Sequence, residues 1–181
     1  MPAGPLSKIF LIGLPGSGKS TVGKSLTTLI NSVFVDLDKE IEKEDQRPVH
    51  EIFQLRGENY FRQLETNALK RWCEKPDSFV MATGGGAPCF HGNMELMNAV
   101  GITVFLDVAA SEITARMSRS NLQERPLLAG LSRDQMKDKI EFLRTHRLPF
   151  YKQATLTISG QTISAQDVLT YLKWESQSDQ K

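Results

Sequence analysis

Short apolar runs alternate with longer stretches of helical spacing along most of this chain. "KIFLIGL" (8–14), closed by glycine, predicts a buried strand. Residues 18–30 then place Val22, Leu26, Leu29 and Ile30 on one helical face. "SVFVDLD" (32–38), β-branched and aromatic, predicts a second strand. Helical stretches follow. "VHEIFQLRG" groups Val49, Ile52 and Phe53 and stops at Gly57, while "ENYFRQLETNALKRWCEK" groups Phe61, Leu64, Ala68 and Trp72 and stops before Pro76. "SFVMATGGG" predicts a third strand and "GITVFLDV" (101–108) a fourth. A helix is expected from near Ser111, a polar loop over 119–132, and a helix over 133–148 ended by Pro149. "ATLTIS" predicts a fifth strand and 164–174 a last helix, before a polar tail.

Strands alternating with helices imply a three-layer α/β/α sandwich around a five-stranded parallel sheet. Ligands in such sheets bind at the carboxyl ends of the strands. Residues 13–18, 36–38 and 84–86 fall at those ends.

The chain's 181 residues suit a single domain. Lys plus Arg total 22 against 21 Asp plus Glu, a net charge of +1 that gives no support to nucleic-acid or membrane-surface binding. Any basic cluster must therefore serve a small anion. No apolar run approaches membrane-spanning length and the start shows no signal-peptide pattern, so a cytoplasmic location is expected. Cys73 and Cys89 stand in no metal-type pattern and are expected to be idle thiols. His50, His91 and His146 have no metal-ligand spacing either.

"GLPGSGKST" holds Gly13-x4-Gly18-Lys19-Ser20 between a predicted strand and helix, the context that confirms a phosphate loop. Glycines let successive backbone N–H groups turn around phosphate oxygens, aided by the positive end of the helix. Gly16, Ser17, Gly18, Lys19, Ser20 and Thr21 are thus expected to bind ATP, with Lys19 reaching the β- and γ-phosphates and Ser20 holding Mg²⁺. Asp36 and Asp38 end the predicted second strand, where residues two apart point to one side. One could support Mg²⁺ through water and the other accept a hydrogen bond from an attacking hydroxyl. The third strand lacks the terminal Asp that many phosphate-loop proteins use, which makes Asp36 the natural replacement.

With "DLDKEIE", "IFQLRGENYFRQLE", "GGGAP", "RPLL" and "RLPFY" following in order, the chain resembles the shikimate kinases from about residue 8 to 160. The resemblance implies a monomer that transfers the ATP γ-phosphoryl group to the 3-hydroxyl of shikimate. It also implies a substrate-binding insertion at about 39–70 and a lid at about 117–130. By position it assigns Asp38 to the ring hydroxyls and Asp36 to Mg²⁺, and gives Arg62 and Arg147 the substrate carboxylate. Gly84, Gly85 and Gly86 become the floor beneath the ring, Arg125 the lid cation on the ATP phosphates, and Arg116 and Gln161 the adenine contacts. The physics agrees: an arginine fork matches a carboxylate, and ring hydroxyls need backbone at short range, which glycine permits. Taken alone, Arg62 would read as a helix salt bridge to Glu58, four residues before it, and either Arg144 or Arg147 as a charge at a helix C-terminus. The sequence departs from the family at Gln46, where glycine is frequent, and in a longer stretch from Met117 to Glu124.

Other readings are a gluconate-type kinase, a nucleoside monophosphate kinase, or a nucleotide-binding regulatory module. The first would not need Arg62, the glycine run and Arg147 together, and the second needs an arginine-rich base-reading pattern that is not evident. The Asp pair and Arg125 speak against the third. Quinate, also a hydroxylated ring acid, remains open beside shikimate as acceptor.

Overall fold

Residues 8–118 and 130–178 are described by the structure, a computed structural model. Strand β1 (Lys8–Ile12) leads into α1 (Lys19–Ile30), and β2 (Val33–Asp36) into α2 (Leu37–Asp45) and α3 (Val49–Glu74). After β3 (Phe79–Ala82) and a 3-10 turn (Ala87–Cys89) come α4 (Asn93–Val100), β4 (Ile102–Asp107) and α5 (Ala110–Met117). The chain closes with α6 (Arg133–Tyr151), β5 (Leu156–Ser159) and α7 (Ala165–Ser178). All strand pairs are parallel, in the order β2-β3-β1-β4-β5, and the fold is the expected three-layer sandwich.

Ile9, Phe10, Leu11 and Ile12 are all 0% exposed, so both faces of the central strand are covered. The edge strand β5 instead alternates buried Leu156 and Ile158 with exposed Thr157 and Ser159. Because β1 and β3 are neighbours, with Leu11 opposite Ala82, their following glycine segments emerge side by side. Thr83 N–H donates to the Leu11 carbonyl and extends that pairing towards the site.

Four elements differ from the sequence expectation. The second strand stops at Asp36, and Asp38 lies in the first turn of α2 rather than on the strand. "VDLD" fits a period of two, but Leu37 and Ile41, four apart, bury one helical face. Asp36 caps that helix, accepting from Lys39 N–H at 3.4 Å. The helix expected to end at Pro149 runs on to Tyr151. In the last turn proline removes only its own bond to the preceding turn, and the core holds the Tyr151 side chain beyond it. Helix α4, whose Met94 and Met97 are buried, was not among the expected elements, and α7 runs past 174 to Ser178, into the stretch expected to be a polar tail.

The break at Gly57 is present: with φ 78° and ψ 171° it interrupts α3, which restarts at once. Gln46 adopts φ 61°, the left-handed conformation that suits glycine, and its side-chain amide donates to the Lys43 carbonyl. The left-handed turn therefore forms here with glutamine. Cys73 and Cys89 are free. No helix among the described residues is long and apolar enough to cross a membrane.

Candidate active site

The phosphate loop is built from backbone. Gly16 and Gly18 take φ 85° and 98°, and Gly18 caps α1 without a side chain. No carboxylate stands in the first turn of α1, so its N–H groups and dipole face the cleft uncompensated, as an anion site needs. Lys19, buried, donates to the Gly13 and Leu14 carbonyls at 2.9 and 2.8 Å. The Ser20 hydroxyl donates to Asp36 Oδ2 at 3.1 Å, joining the loop to the end of β2.

A cleft of about 760 Å³ runs from this loop past Asp36 and Asp38 to Arg62, Glu65, the glycine run and Arg147. Phe53 and Phe61 form part of its wall. Arg62 is only 4% exposed. Its Nε and Nη2 donate to Glu58 Oε1 at 3.2 and 3.0 Å, and its Nη1 donates to Glu65 Oε2 at 2.7 Å. The i,i+4 pair with Glu58 therefore exists, with Glu58 half exposed, but the same guanidinium also pairs with the fully buried Glu65. Arg147, also buried, faces the cleft from α6, while Arg144 pairs with Asp107 at the end of β4 (2.6 Å).

The glycine run makes this packing possible. A Cβ on Gly86 would lie 2.5 to 2.8 Å from Nη2, Cζ and Nη1 of Arg62. One on Gly84 would meet Glu65 Oε1 at 2.5 Å and Asp38 Oδ1 at 3.1 Å, and one on Gly85 would meet Arg147 Nη1 at 3.0 Å. The Tyr151 hydroxyl donates to the Gly85 carbonyl at 2.5 Å. Among the described residues, Asp38 Oδ1, Glu65 Oε1 and Arg147 Nη1 are enclosed without a hydrogen-bond partner. Such groups are costly unless a ligand completes them.

Burial, reinforced by the charge of Asp36, raises the Asp38 carboxyl to about 6. Burial likewise raises Glu65 to about 7, against the pull of Arg62 and with the help of Asp38. Glu65 was not singled out from the sequence; its only signal was a carboxylate one helical turn beyond Arg62. Tyr151 was missed because Pro149 was taken to end the helix carrying it. At the other end of the cleft, Arg116 bonds Glu112 at 2.9 Å and donates to the Gln161 carbonyl, so the two expected adenine residues are neighbours. Arg125 lies outside the described residues.

Loop, Asp pair and parallel sheet define a phosphate-loop phosphotransferase with a polar acceptor pocket. A sequence model of the shikimate kinase family matches residues 15–175. Shikimate kinase of Bacteroides fragilis is 47% identical over 147 residues, 81% of each chain. That of Parabacteroides distasonis is 41% identical over 156 residues, 86% of this chain and 89% of the relative. The crystal structure of shikimate kinase from Bacteroides thetaiotaomicron superposes with a TM-score of 0.84 at 38% identity, covering 96% of this chain and 98% of that one. The Acinetobacter baumannii enzyme in complex with shikimate gives 0.85 at 32% identity, covering 96% and 94%. The chain belongs to the shikimate kinase family, ATP-dependent kinases that phosphorylate a hydroxyl of shikimate.

Proposed function

We propose that the cleft transfers the ATP γ-phosphoryl group to the 3-hydroxyl of shikimate through the residues assigned above. The observation that carries this reading is the convergence of buried, partnerless charged atoms on the glycine run. Asp38 Oδ1, Glu65 Oε1 and Arg147 Nη1 offer two acceptors and a donor, the complement of a ring that carries hydroxyls and a carboxylate. Arg62 and Arg147 bind the carboxylate and so orient the ring. Asp38, ionised, accepts a hydrogen bond from the attacking hydroxyl and aims its oxygen at the γ-phosphorus. A loose transition state demands little basicity, so this positioning outweighs proton removal.

At the nucleotide end, the backbone N–H groups of residues 16–21 and the Lys19 ammonium cradle the phosphates. Arg116 and Gln161 flank the adenine. Ser20 and Asp36 fit a Mg²⁺ ion: the hydroxyl and carboxylate are adjacent hard oxygens at 3.1 Å. Mg²⁺ takes few protein ligands beside phosphate and water. When bound, it neutralises charge on the phosphate oxygens. Arg125, on a lid at about 117–130, adds a cation and excludes water. Residues 39–70 form the acceptor-binding insertion, and the enzyme works as a cytoplasmic monomer without nucleic-acid or membrane partners.

ADP release from Mg-ATP, with shikimate, quinate, gluconate, CMP and AMP offered separately, tests the reading. Turnover is expected with shikimate. Turnover with gluconate or a nucleotide in its place overturns the assignment of Arg62, Gly85 and Arg147.

A further inference from the structure

Glu58 and Glu65 take three of the five N–H groups of the Arg62 guanidinium, which leaves one on each terminal nitrogen for a ligand. Three aromatic rings approach the guanidinium, and the nearest is not one of the cleft walls. The Phe90 ring centroid is 4.5 Å from Cζ, against 5.2 Å for Phe61 and 6.0 Å for Phe53. Phe90 stands outside the cleft lining and is 36% exposed.

The chain holds this ring in place through the turn that carries it. The 3-10 turn after the glycine run is closed by Cys89 N–H to the Gly86 carbonyl, 2.9 Å. Asn93, fully buried, donates from its backbone to the Phe90 carbonyl and from Nδ2 to the Ala87 carbonyl, each at 3.0 Å. The next residue, His91, sits at φ 52°, the left-handed region that histidine enters more readily than most residues, and turns the chain into α4. A turn pinned by a buried amide keeps an apolar ring 36% exposed, where burial alone would not leave it. Its contact there is a cation.

We propose that Phe90 is a positioning residue for the acceptor: its ring covers the Arg62 guanidinium and holds it, desolvated, for the shikimate carboxylate. The inference rests on the reading that Arg62 binds that carboxylate. A cation over an aromatic face is held electrostatically, more strongly as water is excluded. A desolvated guanidinium in turn binds an anion more tightly and with less screening by salt.

The test is steady-state kinetics of the whole enzyme at low and high salt for Phe90→Ala, Phe90→Leu and Phe90→Trp, with Arg62→Lys as control. Phe90→Ala and Phe90→Leu are expected to raise the KM for shikimate about three- to tenfold. They should make that KM more salt-dependent and leave kcat and the KM for ATP in place. Phe90→Trp, with the better π-face, restores the native values. A native shikimate KM in Phe90→Ala beside a raised one in Arg62→Lys overturns the inference and leaves the Arg62 reading standing. Full rescue by leucine, or a parallel rise in the ATP KM, also overturns it, because plain packing then suffices. A native shikimate KM in Arg62→Lys overturns both.

Discussion

The two ends of the cleft are made of different material. The phosphate end is mainly backbone: nine consecutive residues, Gly13 to Thr21, supply the loop and the helix terminus. The acceptor end is side chains from α2, α3 and α6 closing on a bare stretch after β3. Backbone amides carry no net charge, so the loop can wait for its ligand at little expense. The acceptor end instead stores buried charges, two of them on carboxyls raised to about 6 and about 7. A contiguous backbone site tolerates many side chains; a dispersed charged site depends on each one and on the glycines that admit them.

The contrast is broken most sharply at Asp38. Asp38→Asn keeps the shape and removes the charge that receives the hydroxyl. Turnover is expected to fall by about 10²- to 10⁴-fold, while nucleotide affinity, measured by titration with a fluorescent ATP analogue, persists. Near-normal turnover would take Asp38 out of the chemistry.

Glycine substitutions separate the ends by their substrates. Gly86→Ala sets a methyl carbon within 2.5 to 2.8 Å of the Arg62 guanidinium and should displace it. The KM for shikimate is then expected to rise by about tenfold or more, as when a charged hydrogen bond is lost, with the ATP KM retained. Gly18→Ala should do the reverse. There the obstacle is the φ of 98°, since the nearest atom to an added Cβ is 3.9 Å away. Equal effects of both variants on both substrates would erase the distinction.

This difference also governs what could be read from the sequence. The phosphate loop was legible in full, because its geometry follows from residues adjacent in the chain. The sheet was legible from its apolar runs. The glycine run was legible as a strand end where a ligand could bind, but Arg62 and Arg147 stood out only through resemblance to a family, since their nearest sequence neighbours suggested an ordinary salt bridge and a helix terminus. Glu65 and Tyr151 escaped for a physical reason. Their roles arise from burial, and burial depends on Gly84 and Gly85 meeting them across the fold. Asp38 was placed in the cleft for the wrong reason: its strand-like spacing hid a capped helix.

Tyr151→Phe probes one of these unread contacts. The variant leaves the Gly85 carbonyl without the hydroxyl that donates to it at 2.5 Å. Unfolding stability should drop by about 1–2 kcal/mol, the cost of a buried unpaired acceptor. The shikimate KM should rise by about threefold, seen in the same assay, with the ATP KM fixed. An unchanged shikimate KM would confine Tyr151 to the core.

The last effect concerns stability and pH rather than turnover. Asp38 has a folded pKa raised to about 6, so its contribution to stability is full below its unfolded value and is lost as pH rises through about 6. Asp38→Asn carries no such loss. Without ligands, the variant should therefore be more stable than the parent at pH 8, by about 3 kcal/mol, or about 6–12 °C in melting temperature. The advantage should fade towards pH 4, where the parent carboxyl is protonated in the folded state. Ser20→Ala, at the backbone-built end, removes no buried charge and should shift the melting temperature little at either pH. Melting curves of the three proteins at the two pH values decide the matter. A pH-independent difference for Asp38→Asn would mean that the acceptor end stores no charge at Asp38, and that the contrast between the two ends is one of shape alone.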